Sequence, residues 1–274
     1  VVAAAAGVKA TATVTATTSK ARLKLVIAYD GHPFAGWQSQ PSRQTIQDHL
    51  SAAAEAICGE RLVFHGSGRT DTGVHAYGQV CHVDIPNSDS MLPEDWQRAL
   101  NAHLPKTIRV LEASGTAPDF HAQKSAVGKT YRYEIYNAKV LPPHLLHRAW
   151  NISNELDDDR MFQATQILEG RHDFKRFSAS RGKDSKGHSQ DPVNTVRDVF
   201  SIQIQRQAER LTLDFSGSGF LYKMVRMLTG GIVLVGRRKM SCNDLTHLIE
   251  DPEGGPPCRS CAPADGLALV EVRY

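Results

Sequence analysis

Five cysteines, an odd number scattered through 274 residues, supply no disulfide framework and point to a reducing compartment. No apolar run reaches the length of a membrane span. The longest, around Leu221 to Val235, is broken by Lys223, Arg226 and a glycine pair, and it reads as a buried helix. Charge bias is slight: 32 basic against 29 acidic residues leave a formal net charge of +3, too little to establish a nucleic-acid partner. The chain also has no His followed two places later by Glu. This weighs against zinc, even though Pro257-Cys258-Arg259-Ser260-Cys261 spells the PCxxC half of a zinc nucleobase deaminase. Acidic residues are missing from Val1 to Lys20, a stretch of Ala, Val and Thr with neither strand alternation nor helical amphipathicity. That composition fits an organelle transit peptide or its remnant, a plastid before a mitochondrion, and fits a disordered leader nearly as well; otherwise the chain is expected in the cytoplasm.

What is present is ordinary for a globular protein, with 41% hydrophobic and 22% charged residues in a length that suits one large or two modest domains. Leu23 to Asp30 reads as a strand, and from Thr45 a helix places Ile46, Leu50, Ala53 and Ile57 on one face with Gly59 just past its end. Strands are expected at Arg61 to His65, across Cys81, Val83 and Ile85, and at Ile108 to Ala113, with a helix over Pro93 to Leu104. After about Gln123 the order returns: a strand at Lys129 to Asn137, a helix at Asp157 to Glu169, a hairpin of Val199 to Gln205 with Leu211 to Phe215, helices at Phe220 to Val235 and Asn243 to Glu250, and a closing strand at Leu267 to Arg273. The expected fold is therefore α+β, two lobes with antiparallel sheets over residues 21–122 and 123–274, preceded by the leader 1–20. Ser178 to Asn194 is polar and glycine-bearing and reads as a loop. Cations gather at Arg171, Lys175, Arg176, Arg181, Lys183 and Lys186, and again at Arg237 to Lys239, where they would suit either phosphates or plain solvent.

The densest chemistry lies in Gly66-Ser67-Gly68-Arg69-Thr70-Asp71-Thr72-Gly73-Val74-His75-Ala76. Its glycines permit positive φ and close approach to a ligand, but neither GxxxxGK[ST] nor GxGxxG is completed. Glycoside hydrolysis would want a second carboxylate, and the neighbours here are Arg69, two threonines and His75. A lone Asp71 beside a cation suits a nucleophile kept ionised, and equally a turn residue bonded to its own backbone.

Arg226 lies where apolar residues occupy nearly every helix face, so its guanidinium needs a partner. Asp71 is one candidate; Asp214, or the surface reached by snorkelling, is the other. Tyr131 shares a strand face with Tyr133 and Ile135, where it can pack in the core or stack on an unpaired base.

The string Gly68 to Val80, GRTDTGVHAYGQV, resembles the signature loop of the TruA family of transfer RNA pseudouridine synthases. Lys129 to Asn137 is similar to that family's second motif and Gly219 to Arg226 to its third, so the resemblance runs from about Leu23 to the C-terminus. It implies two ferredoxin-like or RRM-like lobes with a catalytic cleft between them. It also implies that Asp71 is the nucleophile, that Arg226 pairs with it, that Tyr131 stacks on the target uracil, and that Arg69 helps to hold the flipped nucleotide.

Three positions depart from the family pattern. Gln123 stands where Arg is usual, Lys124 where an aromatic is usual, and Ser218 where Asn is usual. The function implied is isomerisation of uridine to pseudouridine in the anticodon arm of transfer RNA, at family positions 38 to 40. Asp71 would attack C1′ or C6, and Tyr131 could in addition help to take the C5 proton. No cofactor, metal or membrane is required, and a homodimer is expected; His75 and His121 read as structural. A non-catalytic RNA-binding protein is the alternative, with a zinc deaminase a distant third.

Overall fold

The structure, a computed structural model, describes residues 21–86, 91–180, 182 and 194–274. The leader, the end of the Pro86-to-Ser90 loop and most of the Ser178-to-Asn194 loop, with Arg181, Lys183 and Lys186, lie outside the described residues.

In chain order the elements are β1 (Ala21–Tyr29), α1 (Ile46–Cys58), β2 (His65–Gly66), β3 (His75–Ile85), α2 (Pro93–His103), β4 (Ile108–Thr116), β5 (Gly128–Tyr136), β6 (Trp150–Asn151), α3 (Asp158–Leu168), β7 (Gly170–Asp173), β8 (Val196–Gln207), β9 (Arg210–Gly217), α4 (Met224–Gly236), α5 (Cys242–Glu250) and β10 (Leu267–Arg273). This is an α+β fold whose strands form one sheet in the order β4-β1-β3-β10-β5-β9-β8-β7, with β2 beside β3 and β6 beside β5. Each half repeats the same plan. In the first, β4-β1-β3 is flanked by β2, and in the second β10-β5-β9 is flanked by β8. Strand, helix, hairpin, helix, strand with that spatial order is the ferredoxin-like arrangement.

The halves do not stand apart. The last strand, β10, pairs antiparallel with β5 and parallel with the start of β3, Ala268 opposite His75 and Leu269 opposite Ala76. That pairing fuses two ferredoxin-like sheets into one and sets the β2–β3 loop at the seam.

Local chemistry explains the boundaries. Thr45 caps α1 by accepting from the Asp48 N–H, and Gly59 ends it in the left-handed region at φ 74°. The strand expected at Arg61 to His65 shrinks to His65–Gly66. Leu62 and Phe64 do turn inward, but α1 takes the carbonyls a strand partner would have used: Ser51 Oγ donates to Leu62 O at 2.7 Å and Gln47 Nε2 to Phe64 O at 2.9 Å. Helix α4 starts four residues later than expected. Lys223 sits in the left-handed region at φ 59°, so Phe220 to Lys223 form a turn rather than a helical one. β3 is also less amphipathic than its alternation implies, because His82 is buried against the ring of His65 on β2 and that of His121.

Candidate active site

A cleft of about 920 Å³ opens where the β2–β3 loop faces the turn before α4, and its wall includes Arg69, Asp71, Lys129, Tyr131, Phe220 and Arg226. The loop is shaped from several sides. Ser67 Oγ donates to Gln79 Oε1 at 2.6 Å, and Gln79 Nε2 donates to Gly68 O at 2.9 Å, both groups buried. Thr70 shares a hydrogen bond with Tyr29 Oη at 2.8 Å, and its carbonyl accepts from the Trp37 N–H at 3.1 Å. Asp71 then begins a tight turn, its carbonyl accepting from the Val74 N–H, with Gly73 at φ 81°. A carboxylate on so braced a turn keeps its aim without help from solvent.

Arg226 comes to it from the first turn of α4. Its Nη1 donates to Asp71 Oδ2 at 3.0 Å and its Nε to Ala262 O at 2.7 Å, while the Ala262 N–H donates back to Arg226 O. The pair is largely shielded, the two side chains 15% and 19% exposed, so one face of the carboxylate stays open to the cleft. Asp214, the other acid within reach of the sequence reading, is engaged elsewhere by a bidentate bond from Arg132.

Tyr131 lies on the cleft wall with its ring edge-on to Phe220, centroids 5.4 Å apart. Burial, reinforced by Tyr29 and Asp71, pushes its hydroxyl well above the ordinary phenol range, so the group stays protonated. Arg69 is exposed at the mouth. All four residues singled out in the sequence therefore line one opening. Gln123 also lines it and is exposed, as is Lys124, whereas Ser218 bonds to Asp198 in the β8–β9 region.

His75 is occupied structurally. Nδ1 accepts from the Gly31 N–H, and Nε2 contacts the carbonyls of His147 and Asp265. Of the PCxxC pair, Cys258 is buried with Sγ toward backbone carbonyls and Cys261 is exposed. Among the described residues, His32, His147 and Asp265 gather closely enough to consider a cation. The two imidazoles, however, stack face to face with centroids 3.5 Å apart and 16° between planes, so a single ion cannot lie in the plane of both rings.

A family model described as tRNA pseudouridine synthase matches residues 25–123 and 164–274. The chain belongs to that family. Among its relatives, tRNA pseudouridine synthase A of Akkermansia muciniphila is 41% identical over 253 residues, spanning 92% of this chain and 95% of that protein. The protein of the same name from Rhodopseudomonas palustris strain HaA2 is 40% identical over 254 residues, 92% of this chain and 99% of that one. That of Acetivibrio thermocellus is 38% identical over 253 residues, again 92% and 99%. Within this tRNA pseudouridine synthase family member, the sequence reading passed over Gln79, Trp37 and Lys129. Only Lys129 carried a usable signal, since it precedes Tyr131 by two and so shares its strand face.

Proposed function

We propose that this protein isomerises uridine to pseudouridine in transfer RNA, with Asp71 as the nucleophile and without a cofactor. The observation that carries the reading is the meeting of Asp71 and Arg226 on the wall of an open cleft that Tyr131 also lines. A base inside a helix cannot reach such a cleft, so the target uridine leaves its stack, at a cost of a few kcal/mol that is smallest in a loop or at a stem end. Tyr131 offers a ring on which the uracil stacks, and Arg69 a cation at the mouth for the flipped nucleotide's backbone.

Asp71, oriented by the Arg226 guanidinium, attacks C1′ of the ribose or C6 of the uracil. The glycosidic C1′–N1 bond breaks, the base turns within the cleft, C5 forms the new bond to C1′ as the bond to Asp71 is given up, and the proton lost from C5 is matched by one gained at N1. Substrate and product are isomers, so nothing is oxidised, reduced or hydrolysed. The high-lying Tyr131 hydroxyl does not supply a phenolate base near neutral pH, which supports a stacking role for the ring over one in taking the C5 proton.

We assign the uridines to the anticodon arm, at family positions 38 to 40, and the working form to a homodimer in an organelle, on the family resemblance and the acid-free leader. Mapping pseudouridine in transfer RNA from cells lacking the protein, then complementing them with wild type or Asp71→Asn, tests the reading. Loss of the modification at 38 to 40, restored by wild type alone, is the expected result; an unchanged map overturns it.

A further inference from the structure

Lys129 is a cation of the cleft wall to which the reaction above gives no task. It stands two residues before Tyr131 on β5, on the same face, and its Nζ donates to Ser67 O at 2.6 Å. A Cβ on Gly68 would come within 2.9 Å of that nitrogen, so glycine at 68 leaves the space the ammonium fills. An ammonium has three donors, and the Ser67 carbonyl accepts one of them.

Among the described residues no carboxylate forms an ion pair with Lys129, and its partners across the sheet are Gly217 of β9 and Val272 of β10. Among the described residues, the titratable groups that share its cleft are Arg69 and Asp71 from the loop, His65 of β2, His121, Tyr131 on its own strand, and Tyr222, Lys223 and Arg226 at the start of α4. Asp71, the single carboxylate of that set, is engaged by Arg226. Left desolvated and uncompensated, Lys129 is pushed down to about 8. A cation kept in this state beside a binding cleft awaits an anion from outside the protein.

We propose that Lys129 receives a backbone phosphate of the bound RNA beside the uridine that enters the cleft, and that through Ser67 it couples the phosphate's arrival to the position of the Asp71 loop. A phosphate fits better than a base carbonyl, since a carbonyl would accept a hydrogen bond and leave the charge uncompensated. This inference rests on reading the cleft as a transfer RNA site. It carries a thermodynamic signature: an anion that binds only the charged amine draws a proton onto Lys129 when RNA binds near pH 8.

The test uses full-length protein carrying Asp71→Asn to prevent turnover, with unmodified transfer RNA as the probe. Binding is titrated calorimetrically at pH 8 in two buffers of different ionisation enthalpy, for the Lys129 chain and for Lys129→Arg, and across a salt series for Lys129→Met. Uptake of about half a proton per RNA is expected with lysine and none with arginine. Lys129→Met should bind severalfold more weakly with a log–log salt slope shallower by about 0.7, while its melting temperature is no lower. If Lys129→Met keeps the slope and Lys129→Arg keeps the uptake, Lys129 only braces the loop and the proposal falls. Wild-type protein assayed alongside separates the two readings. Turnover with no Lys129 signature overturns this inference alone, whereas no RNA binding and no pseudouridine overturns the functional reading and this one with it.

Discussion

Arg226 and Asp71 lie 155 positions apart in the chain and meet at 3.0 Å, one carried by the second half of the sheet and one by the first. β10 ties those halves into one sheet, which holds the two groups on facing sides of one cleft. Removing the guanidinium leaves both Asp71 and the Ala262 carbonyl short of a donor. Arg226→Met should therefore cost about 1–3 kcal/mol of stability and remove turnover, with Arg226→Lys intermediate. Chemical denaturation together with a pseudouridine-formation assay measures both. Full activity in Arg226→Met would refute the role.

Asp71→Asn keeps the shape of the turn and removes the carboxylate proposed as nucleophile. Product formation should drop below detection while transfer RNA affinity stays within a few-fold and the melting temperature within a few degrees, which a gel-shift titration and a thermal melt would check. Residual turnover at more than trace level would transfer the chemistry to another group.

Tyr131→Phe retains the ring and should bind RNA like wild type, whereas Tyr131→Ala should lose about 1–3 kcal/mol of affinity with the stacking surface. Because burial holds the hydroxyl protonated, Tyr131 should contribute no limb to the pH–rate profile below about 10, the ordinary phenol range. Equal affinities for the two variants would exclude stacking.

Gly36 sits at φ 85° with its missing Cβ position 2.7 Å from the Thr70 carbonyl, one residue before Asp71. Gly36→Ala should cost about 1–3 kcal/mol from backbone strain and, by displacing Thr70, lower kcat more than it raises KM. A thermal melt and steady-state kinetics separate the two effects; unchanged kinetics would mean the loop absorbs the shift.

His82 is pushed down to about 4, first by burial and then by the neighbouring His65, so the folded protein binds fewer protons here than the unfolded chain between pH 4 and the ordinary histidine value of 6.5. Stability present above that window is lost as pH falls through it, by about 1 kcal/mol per pH unit. Urea denaturation at pH 7, 6 and 5 should show the slope, and His82→Gln should flatten it.

Much of this molecule could be read in advance where one short stretch decides the outcome. Thr45 and Gly59 bracket α1, and Leu267 to Arg273 is bounded as expected, its apolar run beginning directly after Gly266. That Arg226 needs a partner was legible from its apolar surroundings, but the choice of Asp71 over Asp214 becomes visible only in the structure. What stayed hidden depends on distant partners. The carbonyls of Leu62 and Phe64 look available to a strand until Ser51 and Gln47 are seen to take them. The late start of α4 follows from the left-handed Lys223, and an unbroken apolar run carries no mark of that. Lys129 escaped notice because its significance lies in what does not face it.

The position of β10 also bears on how the protein is made. β10 follows every other strand in the described chain yet fills the middle of the sheet, so during synthesis the edges of β3 and β5 remain bare until β10 itself has left the ribosome. Bare edges invite pairing with other chains during that interval. A translation product that stops short of β10 also lacks the joint that holds the two halves of the sheet together.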